Sequence, residues 1–227
     1  IELARMGEWN DVDQVRIVRA AAEGAITAGR RGTTCDAGDA EFALEVIAPP
    51  GRLVICGSGP DAVPLARLAS TQGWNVTIVD HRPVAHAHPE RFPSAIVAEC
   101  ANPDQLASDA KIDDGTAVVV MSHNYPRDLE YANAALRSAA RYVGVLGPRR
   151  RTERMLAELR ARGEYPGDVA LERLHAPIGL DIGGDGPEAI ALSIVAEVSA
   201  VTSGRNGGLL RDRRAPIHDA AQSPMPA

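Results

Sequence analysis

Five short apolar runs alternate with helical patterns between Pro50 and Ser203, and this alternation constrains the fold more than any other feature of the chain. The runs are rich in valine and isoleucine without strict polar alternation, which is typical of strands covered on both faces. They are RLVIC (52–56), NVTIVD (75–80), SAIVAE (94–99), TAVVVMS (116–122) and RYVGVLG (141–147). Strand, helix and strand in repetition predict an α/β fold built as a Rossmann-like, doubly wound parallel sheet.

Helical patterns lie between the predicted strands and on either side of them. They cover residues 11–29, 60–72, 103–108, 126–140 and 149–162, and a largely apolar last helix begins at Pro187. The consecutive prolines Pro49 and Pro50 cannot continue a helix or sit inside a sheet ladder, so we expect a domain boundary there. We predict a small, incomplete N-terminal module over 1–50, a Rossmann-like domain over 51–203 and a flexible tail over 204–227.

Composition and charge limit the partners and the location of the protein. The 227 residues carry 24 basic and 30 acidic side chains, a net charge of −6, and the basic residues are scattered, so we expect no nucleic-acid partner. No apolar run approaches the roughly 18 residues that a membrane span requires, and the first residues lack the regions of a signal peptide. Cys35, Cys56 and Cys100 are far apart, which disfavours a disulfide framework. The sequence therefore predicts a cytoplasmic protein without a membrane partner.

A glycine turn separates the first predicted strand of the sheet from its helix. Gly57 allows a tight turn, Gly59 has no Cβ to block a pyrophosphate, and the helix that Pro60 begins directs its amides and positive dipole end toward an anion. We therefore take Gly57, Ser58, Gly59, Pro60 and Asp61 as candidate ligand-binding residues. The alternative is that the glycines only shape the turn from strand to helix.

The end of the second predicted strand carries two charged residues with different ligand preferences. Asp80 lies where a carboxylate accepts hydrogen bonds from a ribose diol, which favours a nucleotide without a 2′-phosphate. Arg82 would instead neutralise a 2′-phosphate. The choice between an NAD-like and an NADP-like ligand stays open, as does the alternative that both residues only cap a turn.

Polar residues also follow the fourth and fifth predicted strands. Ser122 and His123 come after the fourth strand, and Gly147 and Arg149 come after the fifth. Ligands bind at the carboxyl ends of strands in open α/β sheets, so we expect these residues at the crevice that holds the glycine turn. A histidine can act as an acid or a base near neutral pH, although the sequence shows no partner for His123. An ordinary loop histidine and a solvated helical turn over 149–151 are the alternatives.

Other histidines and cysteines are weaker candidates. His81, His86 and His88 lie close together, but zinc needs three or four ligands held by their surroundings and the prolines here indicate a loop, so we predict no metal site. Cys56 is expected in the core. For Cys35 an inert role is the default, and a redox or sulfur-handling role is the alternative.

Four segments together resemble the XdhC/CoxI family, the accessory proteins of xanthine dehydrogenase and related molybdenum hydroxylases. They are EVIAPPGRLVICGSGPDAVPLARLA (45–69), VVVMSHNYPRDL (118–129), YVGVLGPRRR (142–151) and HAPIGLDIGGDGPEAIALSIVAEV (175–198). The resemblance covers about residues 45–203 and points to the family's C-terminal Rossmann domain. It implies binding of the molybdenum cofactor, as molybdopterin or its dinucleotide form, protection of the cofactor during sulfuration, and delivery to an apo molybdenum hydroxylase of the xanthine or CO dehydrogenase type.

The resemblance also implies further site residues and partners. His175, Asp181 and Gly183 would line the crevice together with the GPRRR loop (147–151), although they would otherwise only shape the lead-in to the last helix. A cysteine desulfurase is a further implied partner, and a homodimer is compatible with the resemblance. Family members usually carry a Ser-Gly-Gly-Cys type segment in a fuller N-terminal domain, whereas Cys35 here lies in CDAG without paired glycines. The expectation therefore rests on the Rossmann part.

Three functions are compatible with these features. The preferred one is a cofactor-binding maturation factor without turnover of its own on a small substrate. An NAD(P)-dependent oxidoreductase is the second, because it would share the fold and the glycine turn, and a nucleotide-sensing module that regulates a partner is the third. No nucleophile, base and orienting group can be identified together, so no catalytic residue is assigned.

Overall fold

The computed structural model of the chain describes residues 12–30, 32–38, 40–47 and 49–214. The chain divides into two compact units, one formed by Pro50–Gly207 and the other by the residues on either side of it. Residues 1–11 of the predicted N-terminal module and 215–227 of the predicted tail lie outside the described residues, and the three-part division stays a prediction. None of the helices in the described ranges has the length and apolarity that a membrane crossing requires.

The described part of the smaller unit contains a helix and a hairpin. Helix α1 (Val12–Thr27) buries one apolar face. Strands β1 (Gly32–Ala37) and β2 (Ala40–Glu45) pair antiparallel, with Cys35 opposite Phe42. The sequence predicts the helix but not the hairpin, because the two strands carry few β-branched or aromatic side chains.

The larger unit is an open sheet with helices on both faces. Its elements are β3 (Arg52–Cys56), α2 (Ala62–Thr71), β4 (Asn75–Asp80), β5 (Ala95–Glu99), α3 (Leu106–Asp109), β6 (Thr116–Val120), α4 (Tyr125–Arg137), β7 (Tyr142–Val145), α5 (Arg149–Ala161), α6 (Asp168–Leu171), β8 (Leu174–His175) and α7 (Pro187–Thr202). All six strands are parallel, in the order β5-β4-β3-β6-β7-β8. The predicted Rossmann-like, doubly wound sheet is confirmed. The sequence does not predict α6 and β8, because they are too short to show a period.

Two apolar cores cover the opposite faces of this sheet. Leu53 and Ile55 of β3 belong to one core, together with residues of α2 and α7. Val54 and Cys56 belong to the other core, together with residues of α4 and α5. Successive residues of a strand point to opposite faces, so one apolar run supplies both cores. Cys56 is completely buried, as the sequence predicts.

The central strand β3 separates the two halves of the sheet. From β3 the chain passes to β4 on one side, and it later returns to β6 on the other side. The chain therefore continues from β3 to α2 on one face of the sheet and from β6 to α4 on the other, an arrangement that leaves a crevice outside the carboxyl ends of these strands. This switch point is where open α/β sheets bind their ligands.

The guanidinium of Arg173 closes the end of α4. Its Nη2 donates to the Leu136 carbonyl at 2.6 Å, and its Nη1 donates to the carbonyls of Ser138, at 3.1 Å, and Ala140. The last carbonyls of a helix have no partner within the helix, so a cation there satisfies them and complements the negative end of the helix dipole. The link fixes the segment before β8 to the sheet.

We expect Arg173→Met to lower the free energy of unfolding by about 2 kcal/mol, because three carbonyls lose a charged donor while the apolar stem is kept. Urea unfolding followed by circular dichroism measures this. Arg137→Met, which removes an exposed arginine from the last turn of α4, should change the value by less than about 0.5 kcal/mol. Equal losses in the two variants would show that Arg173 does not act as a cap.

Candidate functional site

The turn after β3 is shaped by the loop after β6. Gly57 has a φ of +122°, and its amide donates to the Val79 carbonyl at 2.8 Å. A Cβ at Gly57 would lie 2.6 Å from the Cα of Ser122, closer than real side chains approach. The fold itself therefore requires glycine at this position, because the two loops pack backbone against backbone.

Gly59 has a different environment. A Cβ there would have one neighbour within 4 Å, the Cδ2 atom of His123 at 3.7 Å, and its φ is not positive. Within the described part of the chain, no acceptor takes the Gly59 amide hydrogen. The protein thus leaves a space beside Gly59 that a side chain would fill and that a phosphate could approach.

The residues between Gly59 and α2 form the lead-in turn. The Gly59 carbonyl accepts from the Ala62 amide at 3.1 Å, and the Pro60 carbonyl accepts from the Val63 amide at 3.2 Å. Asp61 precedes α2 without capping it through its side chain. The N-terminal end of α2, with the positive end of its dipole, therefore stands next to the space beside Gly59.

Gly57→Ala and Gly59→Ala are expected to differ strongly in stability. The first adds a clash and a strained positive φ, so it should lower the free energy of unfolding by about 2 kcal/mol or more. The second meets only an ordinary contact and should stay within about 0.5 kcal/mol of the parent protein. Chemical denaturation of both variants measures the difference. A similar loss in Gly59→Ala would contradict the assignment of an open space there.

Asp80, at the end of β4, is held in a network with Ser58 and Arg82. Ser58 Oγ donates to Oδ2 of Asp80 at 2.6 Å. Arg82 donates to Oδ2 through Nη2 at 2.8 Å, and to Oδ1 through Nε and through its amide, both at 2.9 Å. Burial by itself raises the pKa of Asp80, but the hydrogen bonds and charge of Arg82 and the bond from Ser58 outweigh it and hold the pKa well below its usual range. The structure thus joins three predicted site residues.

His123 lies beside Gly59 and has a carboxylate partner. Its Nε2 is 3.0 Å from Oδ2 of Asp61, and its φ of +58° is unusual for a residue other than glycine. The sequence shows no partner because Asp61 is 62 positions away, and the pairing of β3 with β6 brings the two together. An imidazole–carboxylate pair therefore stands at the rim of the crevice, where it could accept or donate a proton.

A second buried carboxylate, Asp128 on α4, holds the loop that contains Ser122. Asp128 is 1% exposed and accepts from the amide of Ser122 at 2.9 Å, from its hydroxyl at 2.6 Å, and from Nη2 of Arg151 at 2.5 Å. Sequence reasoning missed Asp128, whose only signal is its place in the first turn of a helix after a strand end. The Ser122 side chain therefore orders its own loop.

The first turn of α5 is strongly basic. Arg149 and Arg150 are exposed, and no acidic residue lies in this turn. Gly147, which precedes the helix with a φ of +135°, lies against the Arg151 side chain. Cations at the positive end of a helix are unfavourable, so an anion bound next to this turn would relieve the repulsion.

Glu197 on α7 ties down the segment after β8. It accepts from the Gly179 amide at 2.8 Å and from the Tyr142 hydroxyl, and its Oε1 lies 3.5 Å from Nδ1 of His175. The rings of Tyr142 and His175 stack with centroids 4.3 Å apart. Burial, and then the bond to Glu197, raises the pKa of Tyr142 strongly. Sequence reasoning found His175 but missed Glu197, because α7 contacts this segment only in the folded sheet.

Asp181 and Gly183 lie beyond this anchored segment. Both belong to the exposed stretch 181–188, and Gly183 has a φ of +75° with no atom within 4 Å of a Cβ placed there. Among the described contacts, none joins either residue to the glycine turn. The structure therefore brings His175 into a defined cluster but leaves these two residues on an exposed loop.

The remaining histidines and Cys35 make local contacts. Nδ1 of His88 lies 3.1 Å from Glu90, and Nδ1 of His81 lies 3.4 Å from Asp80. In the ranges that the structure describes, no three histidine, cysteine or acidic side chains come together in a way that could hold a metal ion. Burial, followed by the charge of Asp36, raises the pKa of the Cys35 thiol, which lowers its thiolate fraction.

The chain is similar in sequence to proteins of one family over most of its length. The pattern of the XdhC Rossmann domain matches residues 53–198. A probable xanthine dehydrogenase subunit from Bacillus subtilis is 37% identical over 155 residues, which is 68% of this chain and 44% of the relative. The molybdenum cofactor insertion chaperone PaoD of Escherichia coli is 28% identical over 153 residues, which is 67% of this chain and 41% of the relative.

The fold is also similar to a solved structure. A xanthine dehydrogenase from Bacillus halodurans superimposes with a TM-score of 0.62 at 28% identity, and the match covers 88% of this chain and 55% of the other. The chain thus spans less than half the length of the two curated relatives. The matched pattern, residues 53–198, includes the glycine turn, the network around Asp80 and the cluster around Glu197.

Proposed function

This chain belongs to the XdhC family, and we propose that its Rossmann domain binds the molybdenum cofactor and delivers it to an apo molybdenum hydroxylase of the xanthine or CO dehydrogenase type. The observation that carries this proposal is the space beside Gly59, which lies at the switch point of the sheet and is left open by the protein itself. Molybdopterin carries a phosphate and its dinucleotide form a pyrophosphate. Either group suits an unfilled space next to a helix N-terminus.

The charges around this space suit an anionic ligand. The chain as a whole carries a net charge of −6, yet arginines stand at the strand ends. Arg82 follows β4, Arg91 reaches the Ser58 carbonyl at 3.4 Å, and Arg149 begins α5. The positive charge that these arginines add along this edge would favour the approach of an anion there over the rest of an acidic surface.

The relatives support the same class of ligand. One relative is named a molybdenum cofactor insertion chaperone, and the name of another describes it as part of a probable xanthine dehydrogenase. Because this chain spans less than half of either, its client enzyme is part of the proposal. A cysteine desulfurase as a second partner and a homodimeric state also stay predictions.

Different residues of the site would contribute different interactions to binding of the cofactor. The Gly59 amide and the N-terminus of α2 would bind a phosphate oxygen. Arg149 and Arg150 follow β7, which lies two strands from β3 and therefore roughly 10 Å from the glycine turn, and they would attract the anion from there. Glu197 would keep His175 in place against Tyr142, on the face of the sheet that α7 covers. When bound, the cofactor supplies redox chemistry for its client enzyme, while this chain supplies only binding and release.

An NAD(P)-dependent oxidoreductase is the second candidate, and the pair of His123 with Asp61 favours it. This pair stands 3.0 Å apart beside the glycine turn and has the composition of an acid–base group. Hydride transfer also needs a substrate oriented against the nicotinamide. The other rim residues that the structure describes are mainly arginines and glycines, which suit anion binding better than the orientation of a small carbonyl or alcohol.

Gly59→Val is expected to weaken binding of the molybdenum cofactor by more than about tenfold, because a branched side chain would fill the space for the phosphate. The cofactor released from a molybdoenzyme can be titrated into the protein and followed by pterin fluorescence. Gly115→Val is the matched control, since a Cβ on Gly115 also meets only an ordinary contact, at 3.5 Å. Gly115 lies before β6, at the opposite edge of the sheet from the glycine turn. Equal affinity in the two variants would remove the glycine turn as the binding site.

The purified protein is expected to retain the molybdenum cofactor and to activate an apo molybdenum hydroxylase, without steady NAD(P)H turnover on small carbonyls or alcohols. Native mass spectrometry identifies the retained ligand, and reconstitution of the apoenzyme measures delivery. NAD(P)H oxidation that is lost in His123→Ala, together with no activation of any apo-hydroxylase, would replace this proposal with the oxidoreductase.

A further inference from the structure

The acceptor capacity of Asp80 is fully used within the protein. Two donors of Arg82 contact Oδ1, and Ser58 Oγ with Arg82 Nη2 contacts Oδ2. A carboxylate offers about four acceptor positions, so these four donors fill it. The Asp80 residue is also only 3% exposed. A ribose diol, which would have to donate to this carboxylate, therefore finds no free acceptor at the end of β4.

The same strand end presents hydrogen-bond donors and positive charge. Nε of Arg82 is bound to Asp80, and Nη2 is shared between Asp80 and Ser58, with the latter contact at 2.9 Å. For Nη1 of Arg82, the described residues provide no acceptor, and the Arg82 side chain is 46% exposed. Arg91 adds a second guanidinium, whose Nη1 donates to the Ser58 carbonyl. The strand end thus has donors to offer where a ribose site needs an acceptor.

We infer that the Ser58–Asp80–Arg82 network selects a ligand that presents a phosphomonoester dianion at this strand end and rejects one that presents a vicinal diol. Guanidinium donors match phosphate oxygens in charge and geometry. A diol placed against this surface would instead lose its water without gaining an acceptor.

The inference names the form of the cargo, and it rests on the proposed function because it takes the glycine turn as the ligand site. Molybdopterin ends in a phosphomonoester, whose oxygens would lie between the Gly59 amide and Arg82, since Arg82 contacts Ser58, the neighbour of Gly59, at the end of β4. A dinucleotide form, or NAD, would place a ribose diol there and does not fit. The 2′-phosphate of NADP shares the chemistry of the molybdopterin phosphate, so an experiment has to separate these two sources.

Arg82→Ala is the central variant. It removes two of the four donors on Asp80 and leaves the Ser58 hydroxyl and the backbone amide of residue 82, so two acceptor positions become free for a diol. Isothermal titration of NAD⁺ in phosphate-free buffer should therefore show an affinity at least about tenfold higher for the variant than for the parent protein. In the same variant, the affinity for a phosphomonoester ligand should fall by about tenfold.

Two further variants control for folding and for charge. Arg82→Gln keeps one side-chain donor for Asp80 but removes the charge, so its affinity for NAD⁺ should rise less than that of Arg82→Ala. It replaces Arg82→Ala in the test if that variant does not fold. Arg137→Ala removes an exposed arginine at the end of α4, close to the opposite edge of the sheet, and should leave both affinities unchanged. Thermal melting by circular dichroism confirms that each variant is folded.

Molybdopterin and NADP⁺ are titrated separately to identify the source of the phosphate. A loss confined to molybdopterin assigns the strand end to the pterin phosphate, and a loss confined to NADP⁺ assigns it to the 2′-phosphate. If folded Arg82→Ala or Arg82→Gln binds NAD⁺ no more tightly than the parent protein, the inference is wrong, even where molybdopterin still binds. If the parent protein binds no molybdopterin but the variant gains NAD⁺, the proposed function is wrong and the selectivity stands.

Discussion

At the switch point of the sheet, the turn after β3 and the loop after β6 pack backbone against backbone, with no room for a Cβ on Gly57. This contact sets the positions of the groups that flank the crevice. Because the loops meet, His123 from one stands beside Gly59 and Asp61 from the other. A larger residue at position 57 would separate the loops, and the space beside Gly59 would lose its side wall. The binding crevice therefore depends on one glycine that does not itself face the ligand space.

Two buried carboxylates hold loops at the carboxyl edge, and a third, half-buried carboxylate holds the segment after β8. Asp80 fixes the glycine turn through Ser58, and Asp128 fixes the loop after β6 through the amide and hydroxyl of Ser122. Glu197 fixes the segment after β8 through the Gly179 amide. A carboxylate that accepts several hydrogen bonds holds a loop more firmly than an apolar contact does, because its partners must keep both distance and direction. These hydrogen bonds hold the carboxyl edge in one arrangement, which would lower the entropic cost of the proposed binding.

The two glycines of the turn and the network beside it have separate roles. Gly57 serves the fold, Gly59 leaves space for a phosphate, and Arg82 converts a ribose-type carboxylate into a donor surface. If the inferred selectivity holds, this Rossmann domain keeps the phosphate end of a dinucleotide site without the affinity for the ribose. The proposed carrier function agrees with such a change, since a carrier would have to bind an anionic cofactor and would not have to orient a nicotinamide.

By itself, the sequence determined the doubly wound parallel sheet, the glycine turn at its switch point and the relation to the XdhC family. The sheet and the turn are carried by local signals, namely apolar runs of strand length, helical periods between them, and glycines directly after a strand. The relation to the family is carried by the resemblance of four segments between residues 45 and 198. The hairpin of β1 and β2 was not predicted because its strands are poor in β-branched and aromatic residues. The tertiary structure alone decided what the site residues contact. Asp61 meets His123 and Glu197 meets His175 only once the strands are ordered in the sheet, since partners so far apart in the chain leave no pattern in the sequence.

Even for Asp80 and Arg82, two positions apart, the sequence allows either a free carboxylate or a closed ion pair. The folded-back conformation of Arg82 against Ser58 decides for the ion pair, because a nearly buried carboxylate is stable as a charge only when donors surround it.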